Sequence, residues 1–132
     1  MIYFLDANAI IDILNGNKSI LAKIASLPSL NDIHIPDIAY YEVMRGFAYK
    51  PNPKLQQHFD YFSRLFGIEY QTQNSLNIAA EQYAALLQKG TPIEDDDILI
   101  GSLAIANEAV LVSNNTKHLS RLQNIQLENW AE

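Results

Sequence analysis

Five short, largely apolar runs that read as strands punctuate this sequence: Ile2–Leu5, Ile33–Ile35, Ile68–Tyr70, Val110–Val112 and Ile125–Leu127. Runs of this kind, bounded by turn residues, suit strands buried on both faces. Between them lie stretches with helical patterning. Asn8–Leu14 and Lys18–Leu27 read as helices separated by Asn15-Gly16-Asn17, which is turn chemistry. Pro36 suits the first turn of a helix running to about Phe47, and Lys54–Phe66 is a helix that Gly67 stops. Ser75–Gln88 places Leu76, Ala79, Ala80, Tyr83 and Leu87 on one stripe, with Gly90 after it. Asp95–Asn107 is a helix with acids in its first turn, where the macrodipole favours them, and a short helix falls near residues 116–121. Strands alternating with helices imply an α/β fold with a small, mostly parallel sheet.

At 132 residues the chain is long enough for one real core, so the expectation is a single domain over residues 1–132. No apolar run approaches ~18 residues, which argues against a membrane span. The N-terminal Met-Ile-Tyr-Phe-Leu-Asp lacks the basic region of a signal peptide. There are no cysteines, which excludes thiolate metal sites and cysteine nucleophiles and fits a cytoplasmic protein.

Nine basic residues against fifteen acidic ones give a net charge of −6, which disfavours a generic nucleic-acid binder. The placement of the acids matters more than their sum. Asp6 directly follows the first strand, where open α/β sheets form their sites. Glu42 interrupts the otherwise apolar stretch Ile38–Met44. Asp95, Asp96 and Asp97 open an apolar helix, and Asp97 shares its face with Ile100, Gly101 and Ala104, so it points inward. Taken singly, each acid has a plainer explanation: Asp6 and Asp95 as helix caps, Glu42 as a satisfied or exposed polar group, Asp96 as solvated charge. Taken together, converging carboxylates repel by about 4 kcal/mol per pair at ~4 Å and an effective dielectric near 20. Such a cluster takes up protons or binds a cation. Oxygen ligands without cysteine point to Mg2+ or Mn2+, which keeps waters able to attack a phosphodiester.

Four segments in order make the sequence resemble the PIN-domain family, and within it the VapC-type endoribonuclease toxins of toxin–antitoxin pairs. They are Phe4-Leu5-Asp6-Ala7-Asn8, Glu42-Val43-Met44-Arg45-Gly46, the run from Pro92 to Gly101, and Leu111–Leu119. The resemblance spans essentially the whole chain. It implies a three-layer α/β/α sandwich and Mg2+-dependent hydrolysis of RNA, structured RNA such as tRNA being the expected substrate. Asp6, Glu42 and Asp97 fall on the family's metal-binding acids, Asp95 on an additional acid, and Asn115 where some members carry a fourth aspartate. Asn8 and Ser113 fall where they can hydrogen-bond around the carboxylates, and Asn115 where it can orient water or a phosphate. Ser113, Leu119 and Gly101 stand where threonine, phenylalanine and alanine are usual, and none of these changes removes an acid. The family also implies a VapB-type antitoxin that blocks the site, and a homodimer.

Among the basic residues, Arg45, Lys117 and Arg121 lie near these motifs and are candidates for contacting phosphates; solvated surface charge explains each equally well. Asn115 has a competing reading as a turn and cap residue. Phe59, Tyr61, Phe62 and Phe66 make an aromatic helix too rich to bury entirely, which suggests a homodimer or antitoxin surface. The competing functional class is a PIN-like module that binds RNA or protein without cutting. A nucleotide-binding domain finds no support, since neither glycine-rich phosphate motif is present.

Overall fold

All five apolar runs become strands in the computed structural model, which describes residues 1–132. They are β1 (Tyr3–Leu5), β2 (Ile33–Pro36), β3 (Ile68–Glu69), β4 (Val110–Val112) and β5 (Gln126–Glu128). Every pairing is parallel and the order across the sheet is β3-β2-β1-β4-β5. The chain first steps from β1 outward through β2 to β3, then crosses back to place β4 on the other side of β1. The direction of winding therefore reverses at the β1–β4 junction, and ligand sites in such sheets form beyond the carboxyl ends of the strands at that point.

Seven helices flank the sheet: α1 (Ala7–Leu14), α2 (Lys18–Ser26), α3 (Asp37–Tyr49), α4 (Pro53–Phe66), α5 (Gln73–Gln88), α6 (Asp95–Ala106) and α7 (Thr116–Leu119). Their ends follow local chemistry. Asn17, Asn52 and Thr72 cap α2, α4 and α5 by accepting from backbone N–H groups, and Thr72 and Ser75 form a reciprocal capping box. Gly67 ends α4 at φ +79°, a conformation that favours glycine. Pro36 closes β2 and precedes the first turn of α3, where a missing N–H costs no helix bond. Helix α6 is buried nearly all round, with Ile98, Ile100, Gly101, Ser102, Leu103 and Ala104 in the interior. At Gly101 an added Cβ would lie 2.2 Å from Leu122 Cδ1, so the glycine lets Leu122 close against the helix. No helix is long and apolar enough to cross a membrane.

Two expectations need correction, the inner face of α5 and the cap of α6, while the aromatic helix α4 is indeed not buried entirely. The inward face of α5 is Ser75, Ala79, Gln82 and Leu86, whereas Leu76, Tyr83 and Leu87 are about half exposed. Gln82 is buried because its amide serves a backbone segment, donating to Gln123 O at 2.9 Å and accepting from Gln123 N at 3.1 Å. On α4, Phe59 and Phe66 are core residues and Phe62 packs against the core, leaving Tyr61 and Leu65 outside. Phe59 stacks on Tyr40 at 5.3 Å between ring centroids. Finally, Glu94 rather than Asp95 occupies the N-cap position of α6, with no side-chain cap bond; Asp95 is the first residue of the helix proper.

Candidate active site

Asp6 is the residue at which β1 becomes α1, and both of its carboxylate oxygens are engaged. Oδ1 accepts from Ala7 N at 2.8 Å, capping the helix; Oδ2 accepts from Ser113 Oγ at 2.8 Å and from Asn8 Nδ2 at 3.1 Å. Capping and site chemistry are thus not alternatives here. Ser113, immediately after β4, is buried and also accepts from Asn8 Nδ2 and Asn115 N, each at 3.0 Å. Asn8 Oδ1 accepts from Asn114 N at 2.9 Å. This web ties the carboxyl end of β1 to that of β4. Asp6 is only 4% exposed, and burial pushes its carboxyl above the usual range against the pull of the Ser113, Ala7 and Asn8 hydrogen bonds.

Glu42 comes from the middle of α3 and Asp97 from the first turn of α6. Burial, followed by the negative charges of Asp6 and Asp96, pushes Glu42 up to about 7; Arg45 opposes this and Asp97 adds to it. Asp97 is raised chiefly by burial and then by Asp6, while His118 and the Asn115 hydrogen bond act against the rise. Glu42 and Asp97 thus both lie within electrostatic reach of Asp6. Their spacing is electrostatic reach: no three aspartate, glutamate or histidine groups form a closed ligand set.

Asn115 directs its side chain at this group. Its Nδ2 donates to Asp97 Oδ2 at 3.3 Å, and its Oδ1 faces His118 Nδ1 at 3.1 Å. It sits at the N-cap position of α7 without making a side-chain cap bond, which removes the capping explanation. Glu42, Arg45, Pro92, Asp95, Asp97 and His118 are among the residues lining an open cleft of about 740 Å³. Asp6 lies behind that surface. Arg45 spans the cleft wall, with Nη2 3.5 Å from Glu42 Oε2 and Nη1 3.4 Å from Asp96 Oδ2. Arg121 donates to Pro92 O at 3.1 Å and so braces the loop entering α6, while Lys117 on α7 is exposed. Two participants escaped the sequence reading. His118 carried no spacing signal of its own, although it lies in the same segment as Asn115. Asp96 was read as solvated, yet it holds Arg45.

The donor chemistry suits a hard divalent cation. At least three of the groups are carboxyls, each is raised by burial, and Glu42 and Asp97 are raised further by neighbouring acids, so a bound cation relieves the cost of ionising them. Mg2+ commonly takes only one or two carboxylates and retains waters, so the absence of a closed ligand set is compatible with it.

Comparison with known proteins points the same way. The model of the PIN-domain family matches residues 3–124. Ribonuclease VapC2 of Rickettsia felis is 36% identical over 133 residues, covering 98% of each chain. The tRNA(fMet)-specific endonuclease VapC of Salmonella typhimurium is 32% identical over 71 residues, about half of each chain (54% and 53%). In the crystal structure of VapBC2 from Rickettsia felis bound to a promoter DNA fragment, one chain superposes with a TM-score of 0.89 at 33% identity, covering 98% of this chain and 99% of that one.

Proposed function

This chain belongs to the PIN-domain family, and from that premise we propose that it is an endoribonuclease toxin that cuts structured RNA such as tRNA, inhibits translation and growth, and is neutralised by a VapB-type antitoxin. The observation that carries this reading is the buried, triply hydrogen-bonded Asp6 beside Glu42 and Asp97 at the reversal point of the sheet.

Asp6 and Asp97 would hold Mg2+, with Mn2+ as a substitute, and Glu42 would complete the site or orient the attacking water; Asp95 is a further candidate ligand at the cleft surface. The ion, when bound, polarises the scissile phosphate and lowers the pKa of the water that attacks it. Ser113 and Asn8 hold the Asp6 carboxylate in one orientation, so that its ligand geometry is set before the cation arrives. Asn115 does the same for Asp97 through its amide and orients water or phosphate beside it. Arg45 at the cleft meets the substrate backbone, with Lys117 and Arg121 contributing charge nearby. The proposed place of action is the cytoplasm, where the RNA is, and the proposed unit is a single PIN domain over residues 1–132. Support for a homodimer or antitoxin surface comes from the exposed apolar side chains of two helices, Tyr61 and Leu65 on α4 and Leu76, Tyr83 and Leu87 on α5.

The test is digestion of total RNA by the pure protein with and without Mg2+, followed by mapping of the cut ends. Wild type is expected to cleave only with the cation. Asp97→Asn should lose at least about a hundredfold in rate while staying folded, since it deletes a charge the transition state needs. Binding without cutting would assign the chain to the RNA-binding alternative. Equal cleavage by Asp97→Asn, with contaminating nucleases excluded, would overturn the assigned site.

A further inference from the structure

We propose that Arg45 is a displaceable counter-ion: it pairs with Glu42 and Asp96 while the site is free of cation, and is released to an RNA phosphate when a divalent ion takes Glu42 from it and neutralises the acids around Asp96. The inference rests on the metal-dependent reading above and assigns that site an order of assembly.

Three observations support it. Arg45 joins the two elements that supply the acids, Glu42 on α3 and Asp96 on α6, and so occupies the electrostatic place of a cation between them. Both contacts are loose. At 3.5 and 3.4 Å they exceed the ~2.7–2.9 Å of a well-formed charge-assisted bond, and the Arg45 side chain is 52% exposed. Such pairs contribute little stability and yield readily to a stronger cation. The guanidinium also has a second support on its own helix, lying 5.3 Å from the centroid of the Tyr41 ring, so leaving the carboxylates does not leave it without a partner.

The surroundings give the exchange a consequence. The cleft wall carries Glu42, Glu94, Asp95, Asp96 and Asp97, and Arg45 is the sole lysine or arginine lining it. A phosphate approaching the cation-free cleft meets acids and an arginine already occupied. Once an ion neutralises the carboxylates, the acids repel the phosphate less and the arginine is free to bind it. Two ligands that favour the same rearrangement bind with positive coupling, and the coupling is reciprocal.

The experiment is Mg2+ titration by calorimetry on the whole chain as wild type, Arg45→Gln, Arg45→Lys and, as a charge-matched control outside the cleft, Lys18→Gln. Arg45→Gln is expected to bind Mg2+ roughly three- to tenfold more tightly than wild type, because the ion no longer displaces a resident charge. Arg45→Lys should fall between the two, and Lys18→Gln should match wild type. The rise in Tm on adding Mg2+ should likewise be larger in Arg45→Gln. At saturating Mg2+, Arg45→Gln should raise KM for bulk tRNA several-fold with a smaller change in kcat. Equal or weaker Mg2+ binding by Arg45→Gln overturns the exchange, as does an unchanged KM. Absence of Mg2+ binding by wild type and every variant would be a different result, removing the metal reading and the exchange with it.

Discussion

Around Asp6 the polar contacts run from 2.8 to 3.1 Å and link residues more than a hundred positions apart, whereas on the facing wall Arg45 meets Glu42 and Asp96 at 3.5 and 3.4 Å. The first region is dry and cross-braced from the ends of two central strands. The second consists of side chains from two helices, partly open to water, with one carboxylate carrying a pKa of about 7. The difference separates two tasks. A ligand that must be aimed is held by neutral donors in the interior, where hydrogen bonds are strong and unpaired groups costly. Groups that must change partners during a cycle sit where water and long side chains keep each state close in energy to the next.

The contrast breaks most decisively at Ser113. Its hydroxyl serves Asp6, Asn8 and the Asn115 amide, so Ser113→Ala should cost about 2–3 kcal/mol of stability and lower divalent affinity on the order of tenfold. Denaturant unfolding and calorimetry would show both, and a neutral outcome would mean that the web does not hold Asp6. A smaller effect sharpens the other side. Glu42 has its carboxyl raised from 4.5 to about 7, so the folded state keeps a proton that the unfolded chain has already released. Without metal, stability should therefore fall as pH rises from about 4.5 to 7, with the penalty fully present above 7. Thermal melts in chelator from pH 5 to 8 should show this slope; Glu42→Gln should flatten its upper part, and Mg2+ should do the same for wild type. An identical slope in Glu42→Gln would place the strain elsewhere. The mildest change is expected at Asn115, whose side chain reaches Asp97 through one 3.3 Å bond. Asn115→Ala should reduce cleavage by less than about tenfold, well short of the loss in Asp97→Asn, as read from rates corrected for the folded fraction.

The alternation of strands and helices, and the three acids, were legible in the sequence because periodicity and a charge within an apolar stretch are local signals. What failed was orientation. On α5 the larger apolar residues Leu76, Tyr83 and Leu87 suggested the inner face, yet Ser75 and Gln82 took it. Burial there is decided by polar partners outside the helix: the Gln123 peptide that Gln82 clasps and the side-chain Oε1 of Gln71, to which Ser75 Oγ donates at 2.7 Å. Hydropathy contains no record of such partners. On α4 the aromatic count served better: Phe59 and Phe66 are buried, Phe59 finding its cover in Tyr40 and Phe47 from the preceding helix, and Tyr61 stays outside. His118 was invisible because one histidine in a short polar segment has meaning only once Asn115 and Asp97 are known to face it.

The bond from Ser113 to Asp6 spans 107 positions of sequence, and β1 pairs with β4 in register from Tyr3–Val110 to Leu5–Val112. Strand β1 therefore waits for β4, made about a hundred residues later, before the sheet can close around it, and closing so long a loop is slow compared with forming the intervening helices. Until residues near 113 have left the ribosome, Asp6 lacks the serine that aims it and Asp97 lacks its partner Asn115. The candidate centre is thus an assembly of both ends of the chain, and no fragment that stops short of β4 contains the contacts that aim its acids.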